Sequence, residues 1–161
     1  MNTKRIGFAV NSLALSELNW RIFEQANSKP LIDTIIFAQD VDVPIEYTPV
    51  PVMKLVEGYG FSGTMVATNV RLANTIDGFP CPRSKFFYVW DLEWLRVRPL
   101  SHAYFHKAYT SPNYRLVARS DRHAQLLESN WGARVEMVLP VPDFQEFLKY
   151  GQAKNVVGRM D

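Results

Sequence analysis

From Lys85 the chain runs through Phe86-Phe87-Tyr88-Val89-Trp90, an unbroken series of aromatic and β-branched residues. A strand with one solvated face alternates apolar and polar side chains, so a run this bulky and this uniform fits a strand covered on both faces, as in a parallel sheet. The run then turns acidic, in Asp91-Leu92-Glu93. Ligands of such sheets bind beyond the carboxyl ends of the strands, where Asp91 and Glu93 are expected. A local reading stays open beside this one, with Asp91 capping a turn and Glu93 solvated.

The rest of the chain alternates in the same sense. Residues 5–10 are apolar and β-prone and exit through Asn11-Ser12, after which Leu18, Ile22, Phe23 and Ala26 fall at helical spacing behind Ser16 as N-cap and Glu17 in the first turn. Lys29-Pro30 stops that helix, and residues 33–38 form a second strand. Pro44, Pro49 and Pro51 suit an edge strand or an extended connection, with residues 47–55 pairing at one edge. Gly58, Gly60 and Gly63 precede a strand over 64–68 instead of linking a strand to a helix, so they read as turn chemistry and not as a phosphate loop. Asn69 is placed to cap a helix over 70–76. After the breakers at 77–82 and the aromatic strand come a helix over 100–109, a strand over 114–119, and a helix over 121–131 capped by Ser120 and stopped by Gly132. A last strand over 134–139 and a short helix over 143–150 follow. Strands alternating with helices predict an α/β protein, a three-layer sandwich with a mostly parallel sheet, as one domain over 1–150 with a loose tail over 151–161.

Composition narrows the function classes. The 161 residues are 47% hydrophobic and 21% charged, which fits one globular domain. A formal charge of +2 makes a nucleic-acid partner unlikely on net charge alone. No apolar run approaches the roughly 20 residues that span a bilayer. Lys4 and Arg5 precede an apolar stretch that imitates a signal peptide, but Asn11 and Ser12 break it. Cys81 is the single cysteine, so neither an internal disulfide nor a multi-thiolate metal site can form, and a reducing cytoplasm is the simplest compartment.

Two stretches carry a family resemblance. Phe87-Tyr88-Val89-Trp90-Asp91-Leu92-Glu93 resembles a strand ending in Tyr-x-x-x-Asp-x-Glu, and Leu116 to Ser120, Trp131-Gly132, Val135 to Asp143 and Phe147 resemble the segment that leads to an interdomain linker. Both are similar to the amino-terminal domain of retaining glycosyltransferases of the GT-B fold, over residues 85–147. The resemblance implies a Rossmann-like domain on the acceptor side of sugar transfer from a nucleotide-sugar donor. Its donor site lies mainly on a carboxy-terminal domain, with a basic residue and paired glutamates, and the chain stops where that domain is expected. The family's glycine-rich loop after the first strand is replaced by Asn11-Ser12-Leu13-Ala14.

On that basis Asp91 is the candidate for orienting or deprotonating an acceptor hydroxyl, with Glu93 as its catalytic neighbour. Asn11 and Ser12 line the opposite lip, and Trp94, Arg96, Arg98, Ser120 and His123 are candidate substrate-binding residues. Residues 96–119 hold Arg96, Arg98, Lys107, Arg115 and Arg119 without an acid, either an anion site at the rim or a solvated face. His102 and His106 have a metal-compatible spacing but no third ligand, and Ser120 with His123 reads as a cap more than a nucleophile pair. No cofactor and no metal is called for. Two functional readings stay open: a glycosyltransferase-like acceptor half, working with a donor subunit or inactive alone, and a non-enzymatic module that binds a glycan, a nucleotide or a protein partner. The partners expected are a sugar or glycan acceptor and a donor-domain subunit or, as a homo-oligomer, a second copy of the chain.

Overall fold

The computed structural model describes residues 4–41, 50–96 and 102–157, of which 152–157 by their backbone alone. The expectations for Pro44, Tyr47, Pro49, Arg98 and residues 99–101 lie outside the described residues. Seven strands form one sheet: β1 (Arg5–Ser12), β2 (Asp33–Asp40), β3 (Val52–Lys54), β4 (Thr64–Ala67), β5 (Ser84–Val89), β6 (Arg115–Ala118) and β7 (Val135–Val138). Their order is β3-β2-β1-β4-β5-β6-β7, and every pairing is parallel. Among the described residues five α-helices cover it, α1 (Glu17–Ser28), α2 (Val70–Ile76), α3 (His102–Thr110), α4 (Asp121–Trp131) and α5 (Phe144–Val157). The expected three-layer, Rossmann-like α/β sandwich is therefore present, and its sheet is parallel throughout.

The aromatic run explains the layering. Side chains alternate across a strand, so Phe86, Tyr88 and Trp90 enter one core with Leu18 and Ile22 of α1 and with Phe144 and Phe147 of α5. Phe87 and Val89 enter the other, with Leu72 and Ile76 of α2, Phe105 and Tyr109 of α3, and Leu127 of α4. Phe86, Phe87 and Tyr88 are wholly buried, each contributing roughly 1.5–3 kcal/mol of burial free energy. Edge-on ring contacts fix the packing, with Phe147 at 5.2 Å from Phe86 and 5.8 Å from Tyr88. The Tyr88 hydroxyl, carried into this core, donates a hydrogen bond to the Leu139 carbonyl, and burial pushes its pKa far up.

The ends of the elements follow local chemistry. Ser16, Asn69 and Ser120 each accept a hydrogen bond from the backbone N–H three residues on, at 3.1, 2.9 and 3.1 Å, and so cap α1, α2 and α4. Gly132 ends α4 at φ 66°, a left-handed position where a side chain would be strained. One expectation falls short in extent: the helix anticipated to end at Tyr150 continues as α5 to Val157. Gly151 lies where α5 passes close to the sheet: a Cβ there would stand 2.5 Å from Ser84 Oγ, so a larger residue requires the serine hydroxyl to move.

Candidate functional site

The strand order places a switch in chain direction between β1 and β4. From β1 the chain winds outward through β2 and β3, then returns to the other side of β1 to start β4. Loops leaving the two strands diverge there, and the crevice between them is the usual ligand site of open parallel sheets. A cavity of about 440 Å³ occupies it, lined among others by Asn11, Ser12, Thr68, Asn69, Arg71, Trp90, Asp91, Glu93 and Arg96. That volume is in the range of small-molecule sites.

Each wall has a reason to stand where it does. After Ser12 the loop is held by Asn19, whose buried amide donates to the Ser12 and Ala14 carbonyls at 3.0 and 2.9 Å. Leu13 plugs the core below. On the facing wall the Thr68 hydroxyl donates to the Ala9 carbonyl at 2.8 Å and ties the end of β4 to β1. Beyond β5 the chain bends at Asp91 and enters a 3-10 helix, Glu93–Leu95. That bend turns both carboxylates toward the crevice.

The two acids differ in setting. Asp91 Oδ2 lies 2.7 Å from an Arg96 guanidinium nitrogen, and both side chains are half or more exposed. Glu93 is more enclosed, and its Oε1 accepts the Val70 N–H at 2.9 Å. Burial raises the Glu93 pKa above its ordinary value; the Val70 N–H works against that rise, the Asp91 charge adds to it, and Arg96 opposes it. The floor thus holds a carboxyl that keeps a proton more readily than a free glutamate, beside one fixed by a cation.

Of the residues singled out from sequence, Asn11, Ser12, Asp91, Glu93 and Arg96 come together in this cavity. Trp94, Ser120 and His123 do not line it. Trp94, partly buried, packs against the core edge-on to Tyr109 at 5.4 Å and Trp131 at 5.7 Å, because an indole gains more from contact with rings than from the wet rim. Ser120 spends its oxygen on the α4 cap. His123 sits in the first turn of α4 with a buried Nδ1 that has no hydrogen-bond partner; burial, then the Arg119 charge, lower its pKa, against Asp91. Arg98 lies outside the described residues.

The basic stretch splits between the two ends of the sheet. Arg115, at the start of β6, donates to the Tyr150 carbonyl at 2.9 Å. Arg119, past the end of β6, lies 3.9 Å over the Trp90 ring and 3.9 Å from the Glu17 carboxylate. Residues that sequence reasoning left out of the site are Glu17, Thr68, Asn69 and Arg71. Asn69 was visible as a cap, but its place opposite Asn11 depends on the strand order.

The site is poorly built for a phosphate. The β1–α1 loop has no glycine, the first turn of α1 carries Glu17, and the Asn19 amide is committed to loop carbonyls. Among the described residues no group of three or more His, Cys, Asp or Glu converges to hold a metal ion, and none of the described helices is long and apolar enough to cross a membrane. The cavity offers hydroxyl, amide and carboxylate groups together with the guanidinium groups of Arg71 and Arg96, a set that can hydrogen-bond a polyol as donor and as acceptor. The chain matches no protein-family model and no curated protein sequence.

Proposed function

We propose that the chain is the acceptor-side half of a glycosyltransferase-like protein of GT-B type, holding a sugar or glycan hydroxyl in the cavity between β1 and β4. The observation that carries this reading is the convergence of Asp91, Glu93, Asn11 and Ser12 on one cavity at the switch point. In the transfer step the acceptor oxygen forms a bond to the anomeric carbon, the carbon–oxygen bond to the nucleoside diphosphate breaks with its electron pair leaving on the phosphate, and the acceptor proton passes to a carboxylate. General-base assistance of that kind contributes typically ~10² to 10⁴ in rate. Glu93, whose basicity is raised, is the better proton acceptor; Asp91, tied to Arg96, orients the hydroxyl. The donor nucleotide belongs on a separate domain or subunit, since the β1–α1 turn has no glycine-rich cradle for phosphate. Leu15 and Leu95, 94% and 66% exposed on the loops that border the cavity, suit a surface that such a partner covers.

A second reading, a glycan-binding module without catalysis, is favoured by one contact, the 2.7 Å Asp91–Arg96 pair that already occupies one carboxylate. A glycan array probed with the chain and with its Asp91→Asn and Asn11→Ala variants tests the site itself. Binding to a defined set of glycans that both variants lose by tenfold or more supports it. Glycan binding equal in all three proteins, or none to any glycan, overturns the assignment of this cavity.

A further inference from the structure

A second cavity, of about 560 Å³, lies at the opposite end of the sheet, where the turn from α1 to β2, the residue before β1 and the outer face of α5 meet. It is separated from the switch-point crevice by the length of β1, about 23 Å at ~3.3 Å per residue. Its floor and lip are apolar, formed by Ile32 and Leu148, both buried, and by Leu31, which is 94% exposed. Around this apolar patch stand Lys4, Lys29 and Lys149. Among the described residues none of the three has a carboxylate within ion-pair distance, although five ion pairs form elsewhere among them. The only acid in the lining is Glu146. Three lysines and one glutamate around an exposed leucine leave the described rim net positive, complementary to a ligand with a negative head and a short apolar body.

We propose that this cavity is a second binding site, which takes a single amphiphilic anion: a carboxylate or phosphate head among Lys4, Lys29 and Lys149, and an alkyl chain against Leu31, Ile32 and Leu148. A volume of about 560 Å³ is that of a site for one small ligand, so the occupant is a free amphiphile and not a bilayer surface. The site is independent of the sugar-transfer reading and stands or falls without it.

Calorimetric titration of the full chain with octanoate and octyl phosphate, beside octanol and inorganic phosphate as half-ligands, tests the proposal. Saturable binding of both amphiphilic anions is expected, with octanol and inorganic phosphate each at least tenfold weaker. The Lys29→Glu/Lys149→Glu variant should lose at least tenfold in affinity for octanoate, and Leu31→Ser severalfold, with circular dichroism unchanged in both; if the double variant fails to fold, Lys149→Glu alone serves, with a severalfold loss expected. Inorganic phosphate binding as tightly as octyl phosphate, octanoate affinity unchanged in the variants, or retention on phosphatidylglycerol vesicles without saturable octanoate binding would each overturn it.

Discussion

Asp91 and Glu93 are two positions apart, yet after the bend beyond β5 Asp91 stands half exposed against Arg96 while Glu93 is enclosed beside the Val70 N–H. The folded chain holds a proton on Glu93 to higher pH than the unfolded chain does. Stability attributable to this group is therefore fully present below the unfolded glutamate pKa, about 4.3, and is lost as pH rises through the folded value. Glu93→Gln keeps an oxygen for the Val70 N–H and cannot ionise. Its melting temperature should equal or exceed that of the wild type at pH 7, and the difference should shrink as pH falls toward 4. A melting temperature clearly below wild type at pH 7 would mean that the ionised Glu93 is stabilised, contrary to its burial. Asp91→Asn, by contrast, breaks only a half-exposed ion pair and should cost at most about 1 kcal/mol in chemical denaturation. If Asp91 orients the acceptor, the same variant should lose glycan binding out of proportion to that small loss of stability.

Among the elements, β5 carries most weight, because both cores meet on it. Phe87→Ala empties a site between Tyr109, stacked at 5.6 Å, and Tyr114, edge-on at 6.1 Å, and should cost about 3–5 kcal/mol. Ser120→Ala removes a single cap bond and should cost about 1 kcal/mol. Urea unfolding of the two variants checks the order; a larger loss from Ser120→Ala would mean that the aromatic run is not the keel of the sheet. The run itself was legible because a two-faced strand has no alternative use for Phe86 to Trp90, and the caps at Ser16, Asn69 and Ser120 because short polar side chains ahead of an apolar period have one usual role. The direction of Trp94 was not legible: next to two acids it reads as a rim residue, and only the ring cluster of Tyr109 and Trp131, distant in sequence, draws it inward. The facing wall of the cavity was hidden for the same reason. Thr68, Asn69 and Arg71 enter the site only because β4 pairs with β1, a long-range pairing that no local pattern encodes.

At the scale of the whole molecule, the fold supplies a ligand crevice while the loop chemistry removes the commonest ligand of such crevices. Open parallel sheets hold nucleotides by seating phosphates on a glycine-rich turn at the amino end of the first helix. Here that turn has no glycine, Leu13 is packed in the core, the Asn19 side-chain amide is paired with loop carbonyls and Glu17 stands in the first turn of α1, so an anion entering it meets a carboxylate. UDP- and GDP-sugars titrated calorimetrically into the isolated chain should therefore bind with dissociation constants above about 1 mM, less than about 4 kcal/mol of binding free energy. On the proposed acceptor-side reading, adding a partner that carries a donor site should bring the affinity into the micromolar range, because the chain's own cavity then only closes the cleft. Micromolar binding of either nucleotide-sugar to the chain alone would place the donor inside the β1–β4 crevice, with Arg71 and Arg96 as its phosphate ligands, and would reverse the roles assigned to the two halves of the reaction.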